Sequence, residues 1–366
     1  MAYRVVQWSV GSVGRQALRA LIRSRDFELV GVFSQTESRI GHDAGDLARL
    51  DVETGIRATS DVDALLALRP DCVVFTSIGE TRPRQAVAEL ATILRSGANV
   101  VSSSMMNLIY PPAADARPIK TLSDACAHGG ATLFTSGIDP GFSGDALPLA
   151  ALQICERVDS IRVQEIADYG THTDANWATP YGFGQPRGAP APILAPGVPT
   201  LFWGGMVRML ADVLMVKLES LNEFCHRWYA SEAFEVPIGR IEQGTLAAVR
   251  FGVAGVVDGV ERVFAEHVTR MRHDVAPHWP RPPEGTTSVH RVVIEGRPSL
   301  TLDLRMSGGE RGSDANPGLL ATAMRLVNAI PAVVGAPPGL LTPLDLKLGV
   351  GRDLLDRRGP PAPDGI

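Results

Sequence analysis

Residues 3–22 read YRVVQWSVGSVGRQALRALI, a strand, a glycine turn and a helix in that order. The run from Tyr3 to Val10 is mostly apolar and β-branched, as expected of a buried strand. After the glycines, apolar residues recur at the spacing of one helix face. A strand that enters a helix through glycines predicts the phosphate-binding unit of a dinucleotide-binding fold.

The predicted phosphate turn comprises Gly11, Ser12, Val13 and Gly14. We expect Gly11 to permit the tight turn and Gly14 to let the backbone approach a pyrophosphate, which the N–H groups at the helix start would attract. An ordinary strand-to-helix turn can carry the same glycines. The strand before and the helix after them favour the cofactor site.

Strands and helices keep alternating to about residue 145. Further strand-like runs, separated by helical patterns, lie at 27–33, 71–76, 99–102 and 131–134. Strands joined by helices of this length pair in parallel through right-handed crossovers. The fold class is therefore α/β, with residues 1–145 forming a Rossmann domain built on a doubly wound parallel sheet.

The rhythm changes in residues 146–315. Long strand-like runs follow with few helices, at 159–167, 247–257, 262–272, 288–295 and 299–305. This pattern predicts a central α+β domain whose sheet is mostly antiparallel. Residues 316–350 form a further helix and turns, with the helix at 319–329, and 351–366 form a flexible tail.

Composition narrows the classes of function. The net charge of -5 disfavours a nucleic-acid partner, and no apolar run approaches the roughly 20 residues of a membrane-spanning helix. The N-terminus lacks the features of a secretory leader, so we expect a cytoplasmic protein. The four cysteines and eight histidines are dispersed, so we expect no metal site.

The second strand bears on the cofactor. It ends in FSQTESR at 33–39, where NAD-binding proteins place an acid for the ribose 2′-hydroxyl. Ser34 stands at that place, and Ser38 and Arg39 could hold a 2′-phosphate, so NADP is favoured and NAD stays possible. Glu37 could serve NAD if the strand ran further, and Arg39 could equally be a solvated loop charge.

Hydroxyl groups end the next two strands. Thr76 and Ser77 follow one strand and Ser102 ends the other, positions where the cofactor commonly contacts backbone and hydroxyls. We predict all three as cofactor contacts.

Several segments, spread in order along nearly the whole chain, carry a resemblance to a known family. They are QWSVGSVGRQALRAL at 7–21, SQTESRIGHDAG at 34–45, GANVVS at 97–102, SGIDPGFSGDALPLAAL at 136–152, GFG at 182–184 and NPGLLATAMRLVNAIPAVVGAPPGL at 316–340. The chain resembles the dihydrodipicolinate-reductase-like group that includes 2,4-diaminopentanoate dehydrogenase and the native amine dehydrogenases. The resemblance implies that the C-terminal segment returns to the Rossmann domain, that Asn328 faces the cofactor, and that the protein is a homodimer. It also implies NAD(P)H-dependent interconversion of an amine with a carbonyl compound and ammonia.

One departure from that family concerns its catalytic acid. Amine-forming members carry a glutamate in a stretch of the form EELSYP after the strand that matches NVVS. Here the stretch reads SSSMMNLIYP at 102–111, with no carboxylate between Ala98 and Ala114. Met105, Met106 and Asn107 occupy the place, and neither Met nor Asn takes a proton at neutral pH. We predict Ser104, Met106 and Asn107 as substrate contacts.

Other residues are candidates for the missing proton donor. Asp139 follows a strand and so lies at the carboxyl edge of the sheet, although it could instead cap the next helix. Tyr169 and His172 lie in a polar, aromatic segment that could form one wall of a pocket, or a polar surface loop. We predict Asp139, Tyr169 and His172 as catalytic, and Tyr169, Trp177 and Phe183 as substrate contacts.

The predicted function is therefore an NADP-dependent oxidoreductase acting on the C=N or C=O bond of a small apolar substrate, with amine dehydrogenase or imine reductase activity as the leading form. The missing glutamate leaves two alternatives: a ketone reductase that does not use ammonia, and a cofactor-binding regulatory protein without turnover.

Overall fold

A computed structural model describes residues 2–172, 178–308 and 316–346. Seven strands form the first sheet: β1 (Tyr3–Trp8), β2 (Phe27–Phe33), β3 (Ala58–Thr59), β4 (Cys72–Phe75), β5 (Asn99–Ser102), β6 (Thr132–Thr135) and β15 (Gly339–Leu341). They are all parallel, in the order β15-β6-β5-β4-β1-β2-β3. The predicted Rossmann sheet is confirmed.

Helices accompany this sheet: α1 (Ser12–Arg23), α2 (Ala44–Leu47), α3 (Val62–Ala67), α4 (Pro83–Arg95), α5 (Ala116–Gly129) and α8 (Pro317–Val334). The strands are buried and apolar because the sheet is covered on both faces. The α8 helix buries Ala323, Leu326 and Ile330 in one core cluster with residues of α1 and the sheet. Its length and composition alone would suffice to cross a membrane; here it packs as a core helix.

A second sheet forms the central domain. Its six strands are β7 (Arg157–Asp168), β8 (Ser220–Tyr229), β11 (Leu246–Val257), β12 (Val260–Arg270), β13 (Ser288–Arg297) and β14 (Leu300–Leu304), in the order β14-β13-β7-β12-β11-β8. All neighbours are antiparallel except β7 and β12, which are parallel. The mostly antiparallel α+β prediction is confirmed.

Shorter elements complete the chain: α6 (Ala146–Leu152), α7 (Val198–Val213), and the hairpin of β9 (Phe234–Val236) and β10 (Gly239–Ile241). The α7 helix lies against the inner face of the second sheet, where Trp203, Met206 and Leu210 join its core. Because α7 also contacts the segment after β5, it links the two domains.

Some element boundaries differ from the sequence expectation. The apolar pattern predicts a helix at 206–218, whereas α7 begins at Val198, runs through Gly204 and Gly205 and ends at Val213; a Cβ at Gly204 would approach Thr200 Cγ2 to 3.1 Å. The α8 helix continues through Pro331, beyond which only turns were expected. The three-residue strand β15 escaped prediction because only its pairing with β6 defines it.

Candidate active site

The phosphate turn lies where the sequence predicts it, but the residues that make it differ from those expected. Ser9, not Gly11, adopts the left-handed conformation, at φ +74°. A Cβ at Gly14 would lie 2.3 Å from Ser9 O and 2.5 Å from Thr76 Oγ1, so Gly14 is required for close packing. A Cβ at Gly11 would meet nothing within 4 Å. The roles expected for the two glycines are therefore corrected. Gly14 serves close packing, and Gly11 is the glycine that borders the open space before α1.

That open space fits a pyrophosphate. The α1 helix begins directly after Gly11, no side chain caps its N-terminus, and its first turn holds no acid. Ser12 is exposed and Val13 is half-buried in that first turn. Free N–H groups at the end of a twelve-residue helix attract an anion.

The predicted hydroxyl contacts are already engaged by the protein. Thr76 Oγ1 accepts from Gln7 Nε2 at 3.0 Å and lies 3.0 Å from Ser9 O. Ser77 Oγ accepts from Arg82 Nη2 at 2.7 Å. In the same way Ser102, fully buried, accepts from Ser104 N at 3.0 Å. These serine and threonine side chains brace the carboxyl edge of the sheet, and their contact with a cofactor stays a prediction.

The end of β2 holds the residues that bear on the cofactor form. Ser34 is buried, and its hydroxyl accepts from Thr36 N at 3.1 Å. Glu37, Ser38 and Arg39 lie together on one 3-10 turn just beyond the strand, with Ser38 exposed and Arg39 half-buried. Arg39, the candidate for binding a 2′-phosphate, and Glu37, the candidate for binding the ribose of NAD, thus lie on the same turn.

A carboxylate supports the turn that lacks the expected glutamate. Glu80 Oε1 accepts from Met105 N at 2.8 Å and from Met106 N at 3.3 Å, while Oε2 accepts from Gly79 N at 3.0 Å. Met105 has φ +60°, and a 3-10 helix with half-buried Met106 and Asn107 follows it. Since three backbone N–H groups use its oxygens, Glu80 shapes the turn. Sequence reasoning passed over it because it lies in the preceding loop.

The residues with the most strongly perturbed environment lie where the two domains meet. Asp139, Glu165 and His267 form a buried cluster: His267 Nδ1 is 3.3 Å from Glu165 Oε2, and His267 Nε2 is 3.8 Å from Asp139 Oδ2. The indole of Trp203 donates to Asp139 Oδ1 at 3.1 Å. The hydroxyl of Tyr169 donates to Glu165 Oε1 at 2.9 Å. One imidazole therefore bridges two carboxylates, each of which has a further donor.

Strand register produces this cluster. Glu165 on β7 lies opposite His267 on β12 and opposite His290 on β13, and His267 lies opposite Phe251 on β11. Residues in register across a sheet share one face. Asp139 reaches the row from the loop after β6, so the first domain contributes one carboxylate and the second contributes the other.

Burial and mutual charge set the ionisation of the cluster. Burial tends to raise the pKa of Glu165, but the bond from His267 and the neighbouring His290 outweigh it and lower this pKa to about 2. For His267, burial tends to lower the pKa, and the two carboxylates raise it above the usual histidine value. The pKa of Asp139 is raised, chiefly because the group is buried. Glu165 is therefore ionised at neutral pH, and the two carboxylates favour the protonated form of His267.

Aromatic rings surround the cluster. Measured between ring centroids, Trp203 lies 4.2 Å and Phe251 lies 5.1 Å from His267, and these two rings lie 5.5 Å from each other. Tyr181 lies 6.4 Å from Tyr169 and stacks on Phe183 at 5.5 Å. Burial raises the pKa values of both tyrosines. The side chains packed around the charged row are thus mostly neutral aromatic rings.

Several of the residues predicted as catalytic or substrate-binding lie in or beside the cluster. Tyr169 belongs to the cluster, His172 packs on it at 4.7 Å with a pKa lowered by burial, and Phe183 lies in the aromatic wall. Asp139 does not cap the next helix; Asp145 does, by accepting from Ala146 N.

Two further predicted residues lie elsewhere. Trp177 falls outside the described residues. Asn328 lines a separate cavity of about 280 Å³, together with Phe142, Leu304 and Met324.

Glu165 and His267 escaped sequence reasoning. Both are polar residues inside strands that are otherwise largely apolar, as in VQEIA at 163–167 and FAEHV at 264–268. A buried acid or histidine at such a place usually has a partner. A polar residue inside an apolar strand marks Glu165 and His267 individually, but it does not predict that the two side chains are in contact.

The cluster also invites comparison with a metal site, since one ligand atom from each of Asp139, Glu165 and His267 lies within 4.8 Å of the others. The two ring nitrogens of His267, however, face different carboxylates. A single ion binds one nitrogen of an imidazole. An imidazole that pairs electrostatically with two carboxylates therefore explains the arrangement better than metal ligation.

Comparisons with known proteins cover nearly the whole chain. The family profile described as 2,4-diaminopentanoate dehydrogenase C-terminal domain matches residues 142–354, and that described as dihydrodipicolinate reductase, N-terminus, matches residues 5–104. An amine dehydrogenase of Streptomyces virginiae is 39% identical over 95% of this chain and 97% of its own length. A 2,4-diaminopentanoate dehydrogenase of Acetoanaerobium sticklandii is 24% identical over 96% and 97%. The solved amine dehydrogenase of Mycobacterium smegmatis superposes with a TM-score of 0.74 at 20% identity, covering 96% of this chain and 98% of that one.

Proposed function

Because this chain belongs to the family of 2,4-diaminopentanoate dehydrogenase and the amine dehydrogenases, we propose that it reduces the C=N or C=O bond of a small, apolar substrate with NADPH. The observation that carries the proposal is the buried Asp139–His267–Glu165 cluster, placed beside the carboxyl edge of a dinucleotide-binding sheet. Ligands bind at that edge in open α/β sheets. The aromatic side chains around the cluster suit an apolar substrate.

The proposed chemistry needs one hydride and one proton at each reduced bond. The nicotinamide cofactor supplies the hydride when it is bound. Asp139 and His267 hold the proton in a buried site, and Trp203 fixes the Asp139 carboxyl by donating to Oδ1. A donor whose pKa is shifted toward neutrality by burial is suited to general acid catalysis. These groups would replace the glutamate missing from the turn after β5.

The proposed cofactor form rests on the turn after β2. Ser34 takes the place of the acid that binds the ribose of NAD, and Ser38 and Arg39 would bind a 2′-phosphate. Glu37 on the same turn favours NAD. Fluorescence titration of the protein with NADPH and with NADH tests the preference, and tighter binding of NADH would overturn it.

We also propose a homodimer that covers the outer face of the second sheet. On that face Glu266 is completely buried between Arg162 and Arg250, and the Arg162 guanidinium lies 3.7 Å from the ring centroid of Phe264. Both arginines retain about a third of their exposure, so the face is partly open. Sedimentation of the purified protein tests the assembly; a monomer at micromolar concentration would contradict it.

A turnover assay separates the candidate reactions. The purified protein is mixed with NADPH and a panel of small ketones and aldehydes, with and without ammonium, and loss of NADPH absorbance is followed. Loss that requires ammonium supports amine formation. Loss without ammonium supports a ketone reductase, for which the neutral Ser104 and Asn107 near the turn after β5 would be suited. Tight NADPH binding with no turnover, on either panel or on imines, would overturn the enzymatic proposal and favour a regulatory protein.

A further inference from the structure

We propose that Glu165 binds the substrate nitrogen, so that the site takes a cation, a protonated imine or a primary ammonium group. This inference rests on the proposed function and names its substrate class. It places a nitrogen-binding carboxylate on strand β7, in the sheet of the second domain, and not in the turn after β5.

Of the three groups in the cluster, Glu165 is the most accessible. Its side chain is 24% exposed, against 6% for Asp139 and 3% for His267. Tyr169 uses one lone pair of the carboxylate and His267 uses another. Since an ionised carboxylate offers about four acceptor sites, room remains for a substrate N–H group.

The charge of the row favours a cation. The groups that face Glu165 are His267 and His290 across the strands, Tyr169 at its hydroxyl, and Asp139 from the loop after β6. Glu165 is ionised, burial raises the pKa of Asp139, and ionisation of Asp139 would add a second negative charge to the row. A bound cation would favour that ionisation, because it stabilises the negative charge in a site of low dielectric.

The aromatic surroundings agree with this charge. Tyr169, Tyr181 and Phe183 are neutral rings, and aromatic faces attract desolvated cations. A neutral aromatic wall beside one ionised oxygen is the composition of many ammonium sites. No described lysine or arginine forms an ion pair with Glu165 that would neutralise it.

Other buried or half-buried acids are already matched. Glu80 accepts from three backbone N–H groups, Asp145 pairs with Arg325, and Glu266 binds two arginines and a glutamine. None of them has the combination of free acceptor sites and aromatic surroundings that Glu165 has.

The reaction balances with Glu165 as a binding group. Ammonium and a ketone lose one water to give a protonated imine, C=NH₂⁺, whose charge would lie against Glu165. Hydride addition to its carbon gives the neutral amine. Glu165 changes neither its bonds nor its protonation, and it stabilises the cation that accepts the hydride.

The test compares Glu165→Gln with wild type and with Glu295→Gln, the same change at an exposed position on the adjacent strand β13. Calorimetry on the protein with saturating NADP measures binding of primary alkylammonium chlorides, from methyl to cyclohexyl, and of the corresponding neutral alcohols. We expect Glu165→Gln to weaken ammonium binding at least tenfold while alcohol and NADPH binding stay within twofold. Glu295→Gln should match wild type, and Glu165→Asp, which keeps the charge, should recover part of the binding.

The outcomes separate this inference from the proposed function. Unchanged ammonium binding in Glu165→Gln overturns the inference, as does a wild-type protein that binds the alcohols and none of the ammonium ions. Turnover of ketones without ammonium, unaffected by Glu165→Gln, overturns the inference and leaves the oxidoreductase function standing. Glu165-dependent ammonium binding without any turnover supports the inference and overturns the function. A circular-dichroism melt within a few degrees of wild type shows that the variant is folded.

Discussion

Replacing His267 with leucine removes the imidazole that pairs with two carboxylates. The side chain is 3% exposed, and its two ring nitrogens face Glu165 and Asp139. Leucine fills much of the same volume beside Trp203 and Phe251 but offers no proton. The variant therefore tests charge with little change in packing.

The expected loss follows from the pKa of Glu165. It lies at about 2 in the folded protein against an ordinary value of 4.5. Each pH unit of difference corresponds to about 1.4 kcal/mol, so the surroundings of Glu165 contribute about 3 kcal/mol to stability near pH 6. Tyr169 and His290 supply part of this, so His267→Leu should cost about 2 to 3 kcal/mol there.

The pH dependence has a definite sign. A depressed carboxylate pKa gives stability that is present above pH 4.5 and is lost as the pH falls toward 2. A raised histidine pKa gives stability that is complete below pH 6.5 and is lost as the pH rises through the raised value. The difference between wild type and variant should therefore be largest between pH 5 and 6.5, and about half as large at pH 3.

Urea unfolding followed by circular dichroism at pH 3.5, 6 and 9 measures this difference. His226→Leu, at an exposed position on β8, serves as the control and should change stability by less than about 0.5 kcal/mol. A loss below 1 kcal/mol at pH 6, or an equal loss at all three pH values, would refute the charge coupling.

Three further changes test other parts of the molecule. Gly14→Ala forces a Cβ to within 2.3 Å of a carbonyl oxygen and should lower stability by about 1 to 3 kcal/mol in a thermal melt. Gly11→Ala should melt like wild type but weaken NADPH binding in a fluorescence titration. Equal melting temperatures of the two variants would contradict the assigned roles. Arg39→Ala should weaken binding of NADPH at least tenfold and leave NADH unchanged in the same titration, and an equal effect on both would remove Arg39 from the phosphate site. Arg325→Met leaves Asp145 buried without its ion pair and should cost about 3 kcal/mol in urea unfolding at pH 7. The cost should be smaller at pH 5, because burial raises the pKa of this carboxyl and loss of Arg325 favours its protonated form further; a cost that does not depend on pH would show that lost packing dominates.

The first domain could be predicted from sequence because its signals are local. The segment from Tyr3 to Gly14 predicts its own strand and turn, and Asp139 could be placed at the sheet edge because it follows a strand. Even there, the tight turn was assigned to Gly11, and Ser9 makes it instead. A serine at positive φ leaves no mark in a sequence pattern, since glycine is the residue expected there.

The cluster at the active site could not be predicted, because register between distant strands creates it. Glu165 and His267 meet only because β7 and β12 pair in parallel at one register. A shift by one residue would move either side chain to the opposite face. The same limit applies to Glu80, whose role depends on contact between two successive loops at the sheet edge.

The row of paired strands also separates two properties that a protein engineer would want to alter independently. Backbone pairing fixes where Glu165 stands, while Tyr181 and Phe183 lie in the connection between β7 and α7, with Tyr181 6.4 Å from Tyr169. If the proposed function holds, we expect a library restricted to those two positions to change the size of the molecules accepted and to keep their required charge. Diversification of substrate size in this scaffold therefore needs no change in the strands.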